Sequence, residues 1–116
     1  MRAFKTKEFA RFARRESIDD KDLRHAISRA ERGLIDADLG GHVVKQRVGR
    51  RGAYRTVVVY RKGSRALFVL GFAKSDMEDI DDDDLDRLKA FAGQVLSWGD
   101  EQVKRLLDSK EWQEIV

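Results

Sequence analysis

Residues 39–75 combine the most strand-like sequence of this 116-residue chain with charge of a single sign. The segment holds nine lysines and arginines and no aspartate or glutamate. Its basic residues are Lys45, Arg47, Arg50, Arg51, Arg55, Arg61, Lys62, Arg65 and Lys74. β-branched and aromatic residues lie between them, which is typical of strands. A sheet made from this segment therefore carries a concentrated positive field, and phosphate backbones are the commonest polyanions that such a field attracts.

The net charge of the whole chain is much smaller than that of residues 39–75, because the flanking segments contain many acidic residues. Residues 1–38 hold 10 basic and 8 acidic side chains, whereas residues 76–116 hold 5 basic and 13 acidic ones. The formal net charge of +3 at pH 7 is the balance of the three segments. The positive field is therefore confined to the predicted strands.

Length and composition limit the classes of protein that this chain can represent. The length predicts one domain, 1–116, large enough to bury a core. Without cysteine it forms no disulfide and no thiolate site, and with only two histidines, His25 and His42, we expect no metal and no cofactor. No apolar run approaches the roughly 20 residues of a membrane span. The start, MRAFKTKEF, lacks the apolar centre of a signal peptide, so we expect a cytoplasmic protein without membrane contact.

The hydrophobic pattern predicts helices first, then strands, then helices. Thr6 is the predicted cap of the first helix, Ser17 or Asp20 that of the second, and Gly33 ends the second helix. The predicted elements are a short strand at 1–4, two helices before residue 33, a connector at 34–41, strands at 43–48, 54–61 and 65–74, a helix at about 82–96 and a last helix around 103–107. This order predicts an α+β fold in which N-terminal helices pack on a small antiparallel sheet and C-terminal helices follow.

Side-chain alternation predicts the direction of the charges. Lys45 and Arg47 share one face of their strand. Arg55 and Arg61 share one face of the next strand, and Tyr54 and Tyr60 share the other face. In the third strand, regular alternation places on one face Ala66, Phe68, Leu70, Phe72 and Lys74. Because the strand centres are apolar on both faces, the basic residues should lie near strand ends and form the rim of a concave patch.

Four short motifs follow one another in the chain: ADLGG at 37–41, VKQR at 44–47, GAYRT at 52–56 and GFAK at 71–74, with Ile80 after them. Together and in this order they resemble the RelE/ParE superfamily of type II toxins, and within it the HigB-like, RelE-type branch. The resemblance covers nearly the whole chain. It implies a RelE-like fold, a small antiparallel sheet with N-terminal helices packed on it, in agreement with the hydrophobic pattern.

The resemblance also implies a function and its partners. It implies a toxin that cuts mRNA at or near the ribosome, without metal or cofactor, and so inhibits translation. A cognate antitoxin, expected to be a helix-turn-helix protein encoded nearby, silences such a toxin. In the family, the functional residues are basic ones on the strands and near the C-terminal end of the sheet. They correspond here to Arg55 and Lys74, with Lys45 and Arg47 on the neighbouring strand.

RNA cleavage by its own 2′-hydroxyl needs side chains that this segment can supply: a base, cations at the phosphate oxygens and a proton donor. Arg55 is suited to the phosphate because a guanidinium stays charged and binds in a bidentate manner. Lys45 or Lys74 could serve as the base, since nearby like charges favour the neutral amine. The residues predicted to bind the RNA are Arg47, Arg50, Arg51, Arg61, Tyr54 and Tyr60.

Two other functions stay open at this point. Some HigB-type ribonucleases use a C-terminal histidine and aspartate, but this chain has no histidine after His42. Some relatives use a late tyrosine, but both tyrosines here precede residue 61. The chain could therefore be a ParE-like toxin that binds DNA gyrase, or a non-catalytic basic domain that binds operator DNA with its antitoxin. If the chain is a nuclease, His42 is the alternative base, although a histidine that follows two glycines is more typical of a turn.

Overall fold

In the part of the chain that the structure describes, six strands form one sheet that has helices on both of its faces. The computed structural model describes residues 1–74 and 80–116. Its elements are β1 (Arg2–Thr6), α1 (Lys7–Arg15), α2 (Asp20–Glu31), β2 (Ala37–Gly40), β3 (Val43–Val48), a 3-10 turn (Arg50–Gly52), β4 (Tyr54–Arg61), β5 (Arg65–Ala73), α3 (Asp82–Ser97), α4 (Asp100–Asp108) and β6 (Trp112–Glu114). The α+β class predicted from the sequence is confirmed. Within the described residues, no helix is long and apolar enough to cross a membrane.

The strands are ordered β2-β3-β4-β5-β1-β6, and the sheet is mixed. From β2 to β5 each neighbouring pair is antiparallel, as predicted. The prediction of a wholly antiparallel sheet is wrong at β1, which pairs in parallel with β5. No hairpin joins these two strands, so no tight turn dictates their relative direction. Two short strands were also not predicted: β2, inside the expected connector, and β6, which pairs with β1.

Side-chain caps set the starts of three helices. Thr6 accepts a hydrogen bond from the N–H of Phe9, 3.1 Å away, as the sequence predicted. The second helix is capped by Asp19 rather than by Ser17 or Asp20. Asp19 and Asp22 each accept a hydrogen bond from the other's backbone N–H, and this reciprocal capping box places the cap at Asp19, so that the helix begins at Asp20. Asp81 caps α3 by accepting a hydrogen bond from the N–H of Asp84.

Each face of the sheet has its own apolar core. On the α1/α2 face, Val44, Val58 and Phe68 pack with the two N-terminal helices. On the α3/α4 face, the fully buried row Val43, Val59 and Leu67 belongs to the core that contains Ala92 and Val95 of α3. Both faces are therefore partly covered, which limits the surface on which basic side chains can meet a ligand.

A bulge in β5 changes which of its side chains share a face. Val57 pairs with Leu70, but the next residue, Val58, pairs with Phe68, so Val69 is an extra residue in β5. Phe68 consequently lies in the α1/α2 core, whereas Phe72 packs against the α3/α4 core. The predicted single face from Ala66 to Lys74 is therefore wrong, because a bulge shifts the alternation by one residue.

Candidate functional site

Two rows of side chains cross three strands on the α3/α4 face, beyond the row buried in its core. The first row is Arg47, Arg55 and Phe72, and the second is Lys45, Val57 and Leu70. Exposure differs across the second row: Val57 of β4 is fully buried, but its neighbour Leu70 of β5 is 47% exposed. Arg47 is exposed, and the remaining members of the rows are half-buried. We call this surface the open face and define it by Lys45, Arg47, Arg55, Leu70 and Phe72.

Arg55 is held against the turn that precedes its strand. Its Nη1 donates to the carbonyl oxygen of Gly52 at 2.5 Å and to that of Tyr54 at 3.5 Å. A guanidinium has five N–H donors, so these contacts of Nη1 leave the group able to bind a phosphate in a bidentate manner. Arg55 lies directly opposite Arg47 in the β3–β4 ladder. The pair therefore concentrates two permanent positive charges at one place on the sheet.

Asp36 anchors the backbone of Arg47 at the sheet edge. The N–H of Arg47 donates to Asp36 Oδ2 at 2.7 Å, and Arg29 binds both carboxylate oxygens of Asp36 at 2.7 and 2.8 Å. Arg29 also donates to the carbonyl oxygen of Arg47 at 3.2 Å. Partial burial works to raise the pKa of Asp36, but the Arg47 N–H and the Arg29 guanidinium outweigh it and hold that pKa below its ordinary value. Asp36 is thus an ionised anchor for the exposed Arg47 side chain.

The turn between β3 and β4 brings two more arginines to the same end of the sheet. Arg50 and Arg51 are exposed in the 3-10 turn, where Arg51 has a φ of 57°. At the end of β5, the N–H of Lys74 donates to the carbonyl oxygen of Ala53 at 2.9 Å, which places Lys74 beside this turn. We call this region the basic end; it comprises Arg47, Arg50, Arg51, Arg55 and Lys74. Lys45 lies one row away from it on the same face.

The structure does not bring Arg61 into the basic end. Arg61 is opposite Arg65 at the other end of β4, six residues or about 20 Å from Arg55. His42 lies at this far end too, because its carbonyl oxygen accepts the N–H of Tyr60 at 2.9 Å. His42 has a φ of 63° in the β2–β3 turn. The geometry therefore supports neither Arg61 nor His42 as a partner of Arg55.

The two tyrosines do not reach the open face either. Tyr60 is only 6% exposed and belongs to the α1/α2 core. Its hydroxyl donates to Glu31 Oε2 at 2.5 Å, and burial together with this bond raises the pKa of Tyr60 well above its ordinary value. Tyr54 is half-buried and meets Phe12 edge-on, with ring centroids 5.9 Å apart. These positions argue against the predicted contact of either tyrosine with RNA.

Sequence reasoning missed two apolar members of the open face, Leu70 and Phe72. It had grouped both with Phe68 on one strand face, and only the pairing with β4 reveals the bulge that separates them from it. Asp36 was also missed, since its role depends on contacts with α2 and β3. Among the residues that the structure describes, no three histidine, aspartate or glutamate side chains are placed to hold a metal ion. The chemistry that the open face offers is that of lysine and arginine.

The fold and this surface together define a class of protein: a small α+β protein that presents arginine and lysine from adjacent strands on an open sheet face. A family comparison agrees with this class and makes it specific. Residues 1–115 match the model of the RelE toxin of the RelE/RelB toxin–antitoxin system. The chain therefore belongs to the RelE toxin family. No curated protein sequence matches the chain.

Proposed function

We propose that this RelE-family toxin is a metal-independent endoribonuclease of the HigB-like branch that cuts mRNA at or near the ribosome in the cytoplasm. The observation that carries the proposal is the cross-strand pair of Arg47 and Arg55, with Lys45 on the same face and Lys74 beside the adjoining turn. Family membership supports a toxin role, and the arrangement of the cations supports phosphate as the group on which it acts.

The cations can serve a reaction in which the RNA supplies its own nucleophile. A neutral lysine, Lys45 or Lys74, takes the proton of the 2′-hydroxyl as this oxygen forms a bond to phosphorus. Arg55, assisted by Arg47, stabilises the extra negative charge on the phosphorane oxygens. The bond from phosphorus to the 5′-oxygen then breaks, and a protonated lysine donates a proton to that oxygen. The products are a 2′,3′-cyclic phosphate and a 5′-hydroxyl end.

Replacement of Arg55 tests the proposal directly. Arg55→Ala should lower the cleavage rate by about 10²-fold or more, the typical loss for one transition-state donor. Arg61→Ala removes the same charge from the far end of the same strand and should retain nearly the wild-type rate. The measurement is cleavage of mRNA by the purified protein, with and without translating ribosomes, mapped by primer extension. Full activity of Arg55→Ala would contradict the proposal, as would a loss in EDTA of the cleavage measured without ribosomes.

Lys74 variants test the proton-transfer step separately. Lys74→Ala should lower the rate by a factor similar to Arg55→Ala if Lys74 moves the proton. Lys74→Arg keeps the charge but should not restore the rate, because arginine does not release a proton at useful pH. His42→Ala, at the far end of the sheet, should remain active. If His42→Ala were inactive and Lys74→Ala active, the base would be His42 rather than Lys74.

The toxin role has its own test in cells. Expression of the chain alone should arrest bacterial growth, and co-expression of a neighbouring helix-turn-helix protein, the proposed antitoxin, should restore it. An antitoxin segment with acidic side chains would complement the basic end, and a stable complex should bury more than about 1,000 Å². Growth arrest without RNA cleavage would instead support a ParE-like toxin that inhibits gyrase. Operator binding without growth arrest would support a non-catalytic binding domain.

A further inference from the structure

The side chains of the open face change from cationic to apolar from one strand of the sheet to the next. Its β3 and β4 side carries the cations Lys45, Arg47 and Arg55, and its β5 side carries Leu70 and Phe72. Leu70 is among the most exposed large apolar side chains of the described residues, at 47%. The bulge at Val69 produces this division, since it sets Phe72 directly opposite Arg55 rather than on the α1/α2 face. Cationic and apolar groups therefore lie side by side in two adjacent rows.

We propose that Phe72 and Leu70 form a nucleobase-binding subsite next to the phosphate-binding pair Arg47 and Arg55. The ligand is an unpaired nucleotide segment whose phosphate contacts the arginines while one base lies against the Phe72 ring. This inference rests on the proposed function and adds to it the orientation of the RNA. It assigns to the apolar side a role that the charge pattern alone does not predict.

The dimensions of the sheet suit this assignment. Directly opposite residues on antiparallel strands have Cβ atoms about 4.5–5.5 Å apart, so the arginine and the ring are immediate neighbours. Phe72 is half-buried and packs against the α3/α4 core, which holds the ring in place while part of it stays accessible. Unstacked bases of single-stranded RNA commonly stack on aromatic side chains, whereas paired bases are not available for such contacts.

Position 72 can be tested with variants that separate the aromatic ring from its apolar bulk. Phe72→Leu keeps an apolar side chain without a ring, and Phe72→Trp keeps a ring. Two single-stranded oligoribonucleotides of one sequence serve as probes, one intact and one with a single abasic position, and their binding to the whole protein is measured at low salt. Phe72→Leu should weaken binding of the intact probe by about 5- to 100-fold, the usual range for one stacked base, and Phe72→Trp should weaken it less.

A matched control uses the same change elsewhere in the same apolar layer. Phe91 packs edge-on against Trp98, with centroids 6.1 Å apart, and lies outside the two rows. Phe91→Leu should bind both probes like the wild type. A thermal unfolding scan of each variant shows whether it is folded, so that a binding loss in a folded Phe72→Leu is attributable to the ring.

The outcomes separate the subsite from the proposed function. Weaker binding of the abasic probe by the wild type, with no such difference in Phe72→Leu, would support the subsite. Equal binding of the two probes by the wild type, with binding still dependent on Arg55, would overturn the subsite and leave the nuclease proposal intact. Failure of the wild type to bind either probe would overturn the subsite, whereas the nuclease proposal is decided by the cleavage assay with translating ribosomes. A Phe72→Leu variant that keeps RNA binding but loses antitoxin binding would identify the apolar side as a protein-docking surface and overturn the inference.

Discussion

At the scale of single residues, neighbours in one short motif differ in burial and in role. In VKQR, Lys45 and Arg47 lie on the open face, while Gln46 between them is only 2% exposed. The amide nitrogen of Gln46 donates to the carbonyl oxygens of Ala26 and Leu34, and its oxygen accepts the N–H of Asp36. Gln46 therefore holds the strand against α2 and the loop that follows α2, whereas Lys45 and Arg47 place their positive charges on the open face.

The Asp36 anchor leads to a prediction with a defined pH dependence. Asp36→Asn should lower the free energy of unfolding at pH 7 by about 1–2 kcal/mol, a modest cost for charged hydrogen bonds to a partly exposed group. Because the fold lowers the pKa of Asp36, its contribution is present above the unfolded value of about 3.9 and is lost as the pH falls through the folded value. Urea unfolding at pH 7 and at pH 3 should show a difference between wild type and variant that shrinks in acid.

Asp38→Asn is the matched control for Asp36. The Asp38 carboxylate accepts only a local hydrogen bond in the described structure, from the N–H of Gly40 at 2.9 Å. Its replacement should therefore cost less stability than Asp36→Asn at pH 7. Equal stability of wild type and Asp36→Asn at pH 7 would show that the anchor is not needed to hold the end of β3.

Alternation along the chain predicted the common face of Lys45 and Arg47 correctly, because β3 and β4 pair without interruption. The same reasoning failed for Phe72, since the extra residue at Val69 becomes visible only against the partner strand. It also assigned Tyr60 to RNA contact, although Tyr60 shares its strand face with Tyr54 and the apolar Val58, a pattern that favours core packing for at least one of the two tyrosines. The burial of Tyr60 depends on Glu31 of α2, which is 29 residues away in sequence. Contacts of this kind are determined by packing rather than by local pattern.

At the scale of elements, the approach of α1 to β5 depends on a strand glycine. A Cβ built at Gly71 would lie 2.3 Å from the Phe12 ring, so Gly71→Ala must displace either the ring or the helix. We expect a loss of about 1–3 kcal/mol in the free energy of unfolding, the usual cost of overpacking. Chemical denaturation measures it. An unchanged stability would mean that α1 can shift without cost.

Gly93 provides a control for the same substitution in an open environment. It lies within α3, where no described heavy atom comes within 4 Å of an added Cβ. Gly93→Ala should therefore stabilise the protein by about 0.5–1 kcal/mol, because alanine loses less backbone entropy than glycine in a helix. Opposite signs for Gly71→Ala and Gly93→Ala would separate the packing constraint from helix propensity.

Elements with a strong pattern of their own were predicted well, and elements that depend on a partner were not. The strands β3 and β4 were predicted with their observed bounds, and Thr6 with its capping role. In β2 half-buried and exposed residues alternate over only four positions, and β6 has three residues. Both strands are too short for a hydrophobic period to be recognised in the sequence. Both strands owe their conformation to the strand beside them, and this information is absent from a local window.

At the scale of the whole molecule, the segregation of charge predicts how salt affects binding. Residues 39–75 carry nine basic and no acidic side chains, while the segment that follows is strongly acidic. Affinity for single-stranded RNA should fall steeply as salt rises, and Arg47→Ala should reduce the slope of log K against log salt by about 0.7, the share of one phosphate contact. Arg61→Ala should leave the slope unchanged. Equal reductions in both variants would mean that the RNA also contacts the far end of the sheet.

The pairing of β1 has a consequence for the order in which the molecule is assembled. β1 lies between β5 and β6, and its Arg2 forms an ion pair with Glu114, 112 residues away. The N–H of Ile115 adds a bond to the carbonyl oxygen of Ala3. β1 is synthesised before the other described strands, but its second edge is paired only when residues 112–115 have been made, and closure of so long a loop is slow. A toxin proposed to attack translation therefore completes its sheet only once its own synthesis has passed that point.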